Sequence, residues 1–139
     1  MTGDEDVTRS ERLRVLVVED EAAISRAVVT YLQRAGYDVI STQPGDTAIN
    51  YMKREHVDIL LVDLRIPDTR GDVVFESGAA HQPQLRHQTI FMTGDLSERG
   101  LDLVHWCNCP VLHKPFELSA MLAMVNSVAP IRGHGARTA

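Results

Sequence analysis

The chain is 139 residues long, which leaves room for one domain and therefore one principal site. Hydrophobic residues make up 44%, charged residues 24%, and the formal net charge is -5. Lys and Arg are outnumbered by Asp and Glu and form no long run, which argues against direct nucleic-acid binding. No apolar stretch approaches the roughly 20 residues of a membrane helix, and the charged segment 1–14 lacks the apolar centre of a signal peptide. A cytoplasmic protein without a membrane partner is expected. Cys107 and Cys109 stand one residue apart, too close for an ordinary structural disulfide, and a reduced state is expected of them.

In chain order, residues 13–18 (LRVLVV) form a Val-rich apolar run that reads as a strand buried on both faces, ending in the acids Glu19, Asp20 and Glu21. Ile24, Ala27, Val28, Tyr31, Leu32 and Ala35 recur at helical spacing, and Gly36 suits the C-terminal cap. A second strand is predicted over residues 37–40, then a helix carrying Ala48, Ile49 and Met52 inward, with Asp46 as its cap. The strongest strand signal is ILLV at 59–62, terminating at Asp63, with Pro67 and Gly71 marking a loop behind it. A weaker helix is predicted over 72–80, a strand over 89–92, a helix over 97–106 and a short strand over 110–112. Leu118, Met121, Leu122, Val125 and Val128 then line one face of a last helix, core before anything else.

Strands alternating with helices call for parallel strands joined by crossover helices that cover both faces of the sheet. In such sheets ligands bind beyond the carboxyl ends of the strands. Those ends carry Glu19 and Asp20, then Asp63, Thr93 and Lys114. Converging carboxylates repel one another unless a cation or proton intervenes. A hard divalent ion such as Mg2+ fits oxygen donors and shares its sites with phosphate, while an adjacent Lys and Thr supply a charge and a hydrogen bond for phosphoryl oxygens. Three acids in a row also suit a plain helix start, where the dipole favours them, and Thr93 also suits a strand for its own sake.

The chain resembles a response regulator receiver domain over residues 14–128. The likeness is carried by VLVVEDE with Glu19 and Asp20, LLVDLRIP with Asp63 and Pro67, Gly71, FMTG with Thr93, and KPF from Lys114 to Phe116. The resemblance implies a flavodoxin-like α/β fold, a five-stranded parallel sheet of order 2-1-3-4-5 flanked by five helices. It implies that Asp63 accepts a phosphoryl group from a histidine kinase or histidine phosphotransfer protein. Mg2+ would be held by Asp20 and Asp63 directly, by Glu19 through water and by the backbone carbonyl of Arg65, while Thr93 and Lys114 would bind phosphoryl oxygens. It further implies a commonly cis Lys114–Pro115 bond, output to a downstream protein target, a homodimer through the face of the fourth helix, fifth strand and fifth helix as one option, and no enzymatic turnover beyond slow self-dephosphorylation.

Two features depart from the family. Val111 stands where an aromatic residue usually lies three positions before the lysine, and the usual Gly-Ala stretch is replaced by Cys107, Asn108, Cys109 and Pro110. An atypical output surface is expected. Arg65 and Asp95 are expected to rim the pocket and to pair across it. His105, Cys107, Cys109 and His113 offer zinc-ligand types, but their spacing is not a zinc pattern.

The expected organisation is a flexible extension over 1–12, the receiver domain over 13–129 and a flexible tail over 130–139. A stand-alone regulator is favoured over a domain cut from a hybrid kinase or a larger regulator. A phosphatase with an Asp nucleophile would be expected to carry a second acid where Arg65 stands, and a phosphorylation-independent interaction module would not need the full set of acceptor, acids, Thr and Lys.

Overall fold

The computed structural model describes residues 11–94 and 97–130. Its elements are β1 Arg14–Val18, α1 Ala22–Arg34, β2 Asp38–Thr42, α2 Gly45–Arg54, β3 Ile59–Asp63, α3 Gly71–His81, β4 Thr89–Thr93, α4 Glu98–Cys107, β5 Val111–His113 and α5 Leu118–Val128, with a short 3-10 turn at Pro83–His87 between α3 and β4. All strand pairs are parallel and the sheet order is β2-β1-β3-β4-β5. This is the fold that the resemblance implied, with five helices on the two faces of one sheet.

The continuous apolar runs of the central strands follow from burial on both sides. Successive side chains point to opposite faces, and the core divides accordingly. Leu16, Val18, Leu60, Val62 and Phe91 pack with Ala48 and Met52 of α2 and with Val74 and Phe75 of α3. Val15, Val17, Ile59, Leu61, Ile90 and Met92 pack with Val28 and Leu32 of α1 and with Met121 and Val125 of α5. Fully burying each of the larger of these side chains contributes about 1.5–3 kcal/mol. Leu118, Leu122 and Val128 complete the inner face of α5, as its helical spacing predicts.

Several boundaries differ from the sequence expectation for identifiable reasons. β2 runs on through Ser41 and Thr42, which pair with Val17 and Val18; an edge strand tolerates polar residues because its outer side is open. β5 begins at Val111 because Pro110 has no N–H to donate, although its carbonyl still accepts from the Phe91 amide at 3.0 Å. The 3-10 turn starts on Pro83, a residue that the helical periodicity could not count.

Asp46 does not cap α2. Pro44 occupies the cap position without a side-chain bond, and the first two amides of the helix donate instead to Asp68, Gly45 N to Oδ1 at 2.9 Å and Asp46 N to Oδ2 at 3.0 Å. Orphan amides at a helix start need an acceptor, and here it comes from the loop after β3. Gly36 follows α1 with φ +99°, the left-handed cap expected of it, and Asn108 does the same for α4 with φ 57°.

Candidate functional site: a carboxylate and lysine cluster at the ends of β1, β3 and β5

The chain leaves β1 for β2 on one side and β3 on the other, so the crevice between β1 and β3 is the topological switch point. Val18 pairs with Val62, and this register sets Glu19 and Asp20 beside Asp63, the last residue of β3. The backbone then carries the far edge into place, because Leu64 N donates to the Met92 carbonyl at 3.0 Å and Lys114 N to the Thr93 carbonyl at 2.9 Å.

Lys114 reaches over the rim from beyond β5. Its ammonium lies 2.7 Å from Asp63 Oδ2, 2.7 Å from Glu19 Oε1 and 3.2 Å from Glu21 Oε1. The other oxygen of Asp63, Oδ1, accepts from the Arg65 amide at 3.0 Å, so both ends of the carboxylate are held. Asp63 is 5% exposed and Glu19 not at all, whereas Asp20 is the least buried of the three acids. Burial alone would lower the Lys114 pKa, but its hydrogen bond to Asp63 and its contact with Glu19 outweigh that and hold the group firmly protonated. Burial pushes the Glu19 carboxyl up, against the pull of Lys114 and of the Glu21 amide, which donates to Oε2 at 3.0 Å.

Oxygens of Glu19, Asp20 and Asp63 lie within 4.8 Å of one another. An octahedral Mg2+ spans about 4.2 Å between opposite ligands, so the three acids suit a small hard cation, with one of them bound through water. Glu19 Oε1 supplies a second indication. The ammonium touches it off the direction a hydrogen bond requires, which leaves a fully buried carboxylate oxygen without a directed donor. Donor type, spacing and the under-satisfied oxygen fit the metal that the sequence implied.

An open cavity of about 400 Å³ lies over this cluster, lined by Asp20, Glu21, Asp63, Arg65, Gly94 and Lys114. Thr93 is fully buried at the end of β4, and Gly94 forms that side of the wall. Arg65 is exposed at the rim, as expected, while Asp95 lies outside the described residues, and with it the expected pair. Two contributors had no assigned role in the sequence. Glu21 reads in the sequence as the third acid of a run, yet it shares Lys114. Gly71 reads locally as a loop residue, yet it opens α3 against the backbone of Asp63, where a Cβ would lie 2.3 Å from the Asp63 carbonyl oxygen.

His105, Cys107, Cys109 and His113 do not gather as a metal set; among the described residues the acidic trio alone does. Both thiols are free, and burial pushes them up to about 11 for Cys107 and about 12 for Cys109. The Lys114–Pro115 bond is cis. Val111 packs partly buried against the core cluster on the α2 and α3 side. No helix among the described residues is long and apolar enough to cross a membrane.

A parallel 2-1-3-4-5 sheet with acids and a lysine gathered at its switch point is the architecture of the flavodoxin-like receiver fold. The chain belongs to the response regulator receiver domain family, whose profile it matches over residues 15–126. It is 31% identical over 90 residues to the regulatory protein VanRc of Enterococcus gallinarum, covering 65% of this chain and 36% of that protein. It is 30% identical over 112 residues to the regulatory protein LuxO of Vibrio vulnificus, covering 80% of this chain and 24% of that one. The chain thus spans about a third or less of these relatives' length. A CheY-like receiver domain protein from Methanospirillum hungatei superposes with a TM-score of 0.77 at 21% identity, covering 84% of this chain and 92% of that one. The chemotaxis protein CheY4 of Vibrio cholerae gives 0.75 at 24%, covering 84% and 98%. At these identities the two structures speak for the fold.

Proposed function

We propose that the chain is a phosphoacceptor switch that takes a phosphoryl group on Asp63 from the phosphohistidine of a histidine kinase or phosphotransfer protein. The observation that carries this reading is the Lys114 ammonium at 2.7 Å from Asp63 Oδ2, in a crevice where two further acids stand within metal-binding distance.

In this account an Asp63 oxygen attacks phosphorus, the P–N bond to the donor imidazole breaks, and the imidazole keeps the electron pair and picks up a proton. Transfer of this kind asks mainly for alignment and for neutralisation of charge on the equatorial oxygens. Lys114 follows one of those oxygens as the Asp63 negative charge is consumed in the new bond, and the Thr93 hydroxyl binds another. The Arg65 amide keeps the carboxylate plane fixed from the other side. Asp20 and Asp63 would hold Mg2+ directly, Glu19 through water and Arg65 through its carbonyl; a bound ion would supply positive charge to the phosphoryl group.

The domain is read as residues 13–129. It signals through contacts with a downstream protein in the cytoplasm and turns over no substrate beyond its own slow dephosphorylation. The face of α4, β5 and α5 is available for a homodimer. A single-domain regulator and a receiver within a hybrid kinase or larger regulator would share this acceptor chemistry.

Intact mass after incubation with a small phosphodonor tests the reading. With Mg2+ the protein should gain a single labile phosphoryl group, and with a chelator in excess it should gain none. A protein that turns over many donor molecules without keeping the adduct would be a phosphatase, and one that does neither would be an interaction module.

A further inference from the structure

Asp68 lies five residues beyond the acceptor, fully at the surface, in the loop between Asp63 and α3. Its two carboxylate oxygens each accept one backbone amide of α2, from Gly45 at 2.9 Å and Asp46 at 3.0 Å. Those amides hold its pKa below the ordinary carboxylate range. The loop it belongs to is short and closed on itself: Arg65 bridges to Arg70 in antiparallel fashion, and Gly71 N donates to the Leu64 carbonyl at 2.9 Å.

A second contact pins the same loop to the same helix. Gly45 presents no side chain where the loop crosses it; a Cβ there would lie 2.3 Å from Thr69 Cγ2 and 3.5 Å from Ile66 Cδ1. Ile66 itself is 8% exposed and anchored in the core with Ala48 of α2. The start of α2 therefore grips the loop through Asp68, Thr69 and Ile66. The near end of that loop is Arg65, whose amide donates to Asp63 Oδ1 and whose carbonyl is the expected backbone ligand.

We propose that Asp68 is a positioning residue for the acceptor site: by clamping the loop to the amides of α2 it fixes where Arg65 presents its amide to Asp63 and its carbonyl to the metal. The inference rests on the function proposed above. An ordinary helix cap would serve α2 alone. A clamp ties the helix start to the acceptor loop, so its loss is felt at the crevice as well as in stability.

The test compares the full chain with Asp68→Ala and Asp68→Asn, by calorimetric titration of Mg2+ and by the amide resonance of Arg65 without metal, at a temperature where circular dichroism shows all three fully folded. Asp68→Ala should weaken Mg2+ binding by about tenfold, the lower end for groups that orient metal ligands, and should shift the Arg65 amide. Asn keeps one accepting oxygen and should recover part of both effects. Equal Mg2+ affinity in all three proteins, with only a lowered urea midpoint for Asp68→Ala, would make Asp68 a plain cap and overturn the inference while leaving the proposed function intact. No Mg2+ binding by the parent protein would overturn both.

Discussion

Lys114 is the residue on which the charge balance of the crevice turns. Glu19 has no solvent exposure and Asp63 almost none, and one ammonium serves both at 2.7 Å. Removing one partner of a buried ion pair costs about 3–5 kcal/mol, but here the cavity is open to water and a carboxyl can take up a proton. Lys114→Ala should therefore lose about 1–3 kcal/mol of stability in urea at neutral pH without Mg2+, and regain part of it when Mg2+ is added. The pH dependence has a definite sign. Glu19 already has a raised folded-state pKa through burial, and losing Lys114 removes the main pull in the other direction. A carboxyl whose folded pKa lies above its unfolded one binds its proton more tightly when folded, so the variant should gain stability as pH falls into the window just above the ordinary carboxylate range. A variant as stable as the parent, with no such recovery, would show that the ammonium is not the counter-charge.

At the scale of elements, the loop after β3 and the helices on either side of it act together. Gly71 opens α3 directly on the backbone of Asp63, with a Cβ brought to 2.3 Å from the Asp63 carbonyl and 2.9 Å from Leu64 Cα. Backbone cannot yield as a flexible side chain can, so Gly71→Ala should cost on the order of 2–4 kcal/mol by urea unfolding and weaken Mg2+ binding, because α3 can move off only by dragging β3's end. On the other side, Asp68 caps α2 with its carboxyl pKa lowered first by the Asp46 amide and then by the Gly45 amide. A depressed folded pKa stabilises fully above the ordinary carboxylate range and loses that contribution as pH falls through the folded value. The difference in urea midpoint between the parent and Asp68→Asn should accordingly be present at neutral pH and shrink on acidification to about pH 3; a difference independent of pH would mean the charge plays no part.

For the whole molecule, the order of elements and the ends of the strands were legible because apolar runs such as ILLV at 59–62 are buried on both faces, and each stops at a polar residue where the sheet ends. Glu19, Asp20, Asp63 and Lys114 come to one rim because they stand at or just beyond those strand ends. What escaped the sequence depends on contacts between distant segments. The cap of α2 comes from Asp68, 22 residues beyond Asp46, and no local pattern around Pro44 announces it. Glu21 could be counted among the acids but not assigned to Lys114, 93 residues away. Gly71 reads as a turn residue until α3 is seen to start against Asp63. The departures at Val111 and Pro110 were visible, and the structure gives them ordinary packing: Val111 leans into the core and Pro110 keeps its carbonyl in the ladder.

The proposed switch turns on one chemical event at one atom group. Treating the protein with a small phosphodonor and Mg2+, trapping the acyl phosphate by borohydride reduction and mapping the peptides by mass spectrometry would locate that event. The reduced residue should be Asp63 alone, absent from Asp63→Asn. Label on Glu19, Asp20 or Glu21, or undiminished labelling of Asp63→Asn, would contradict it.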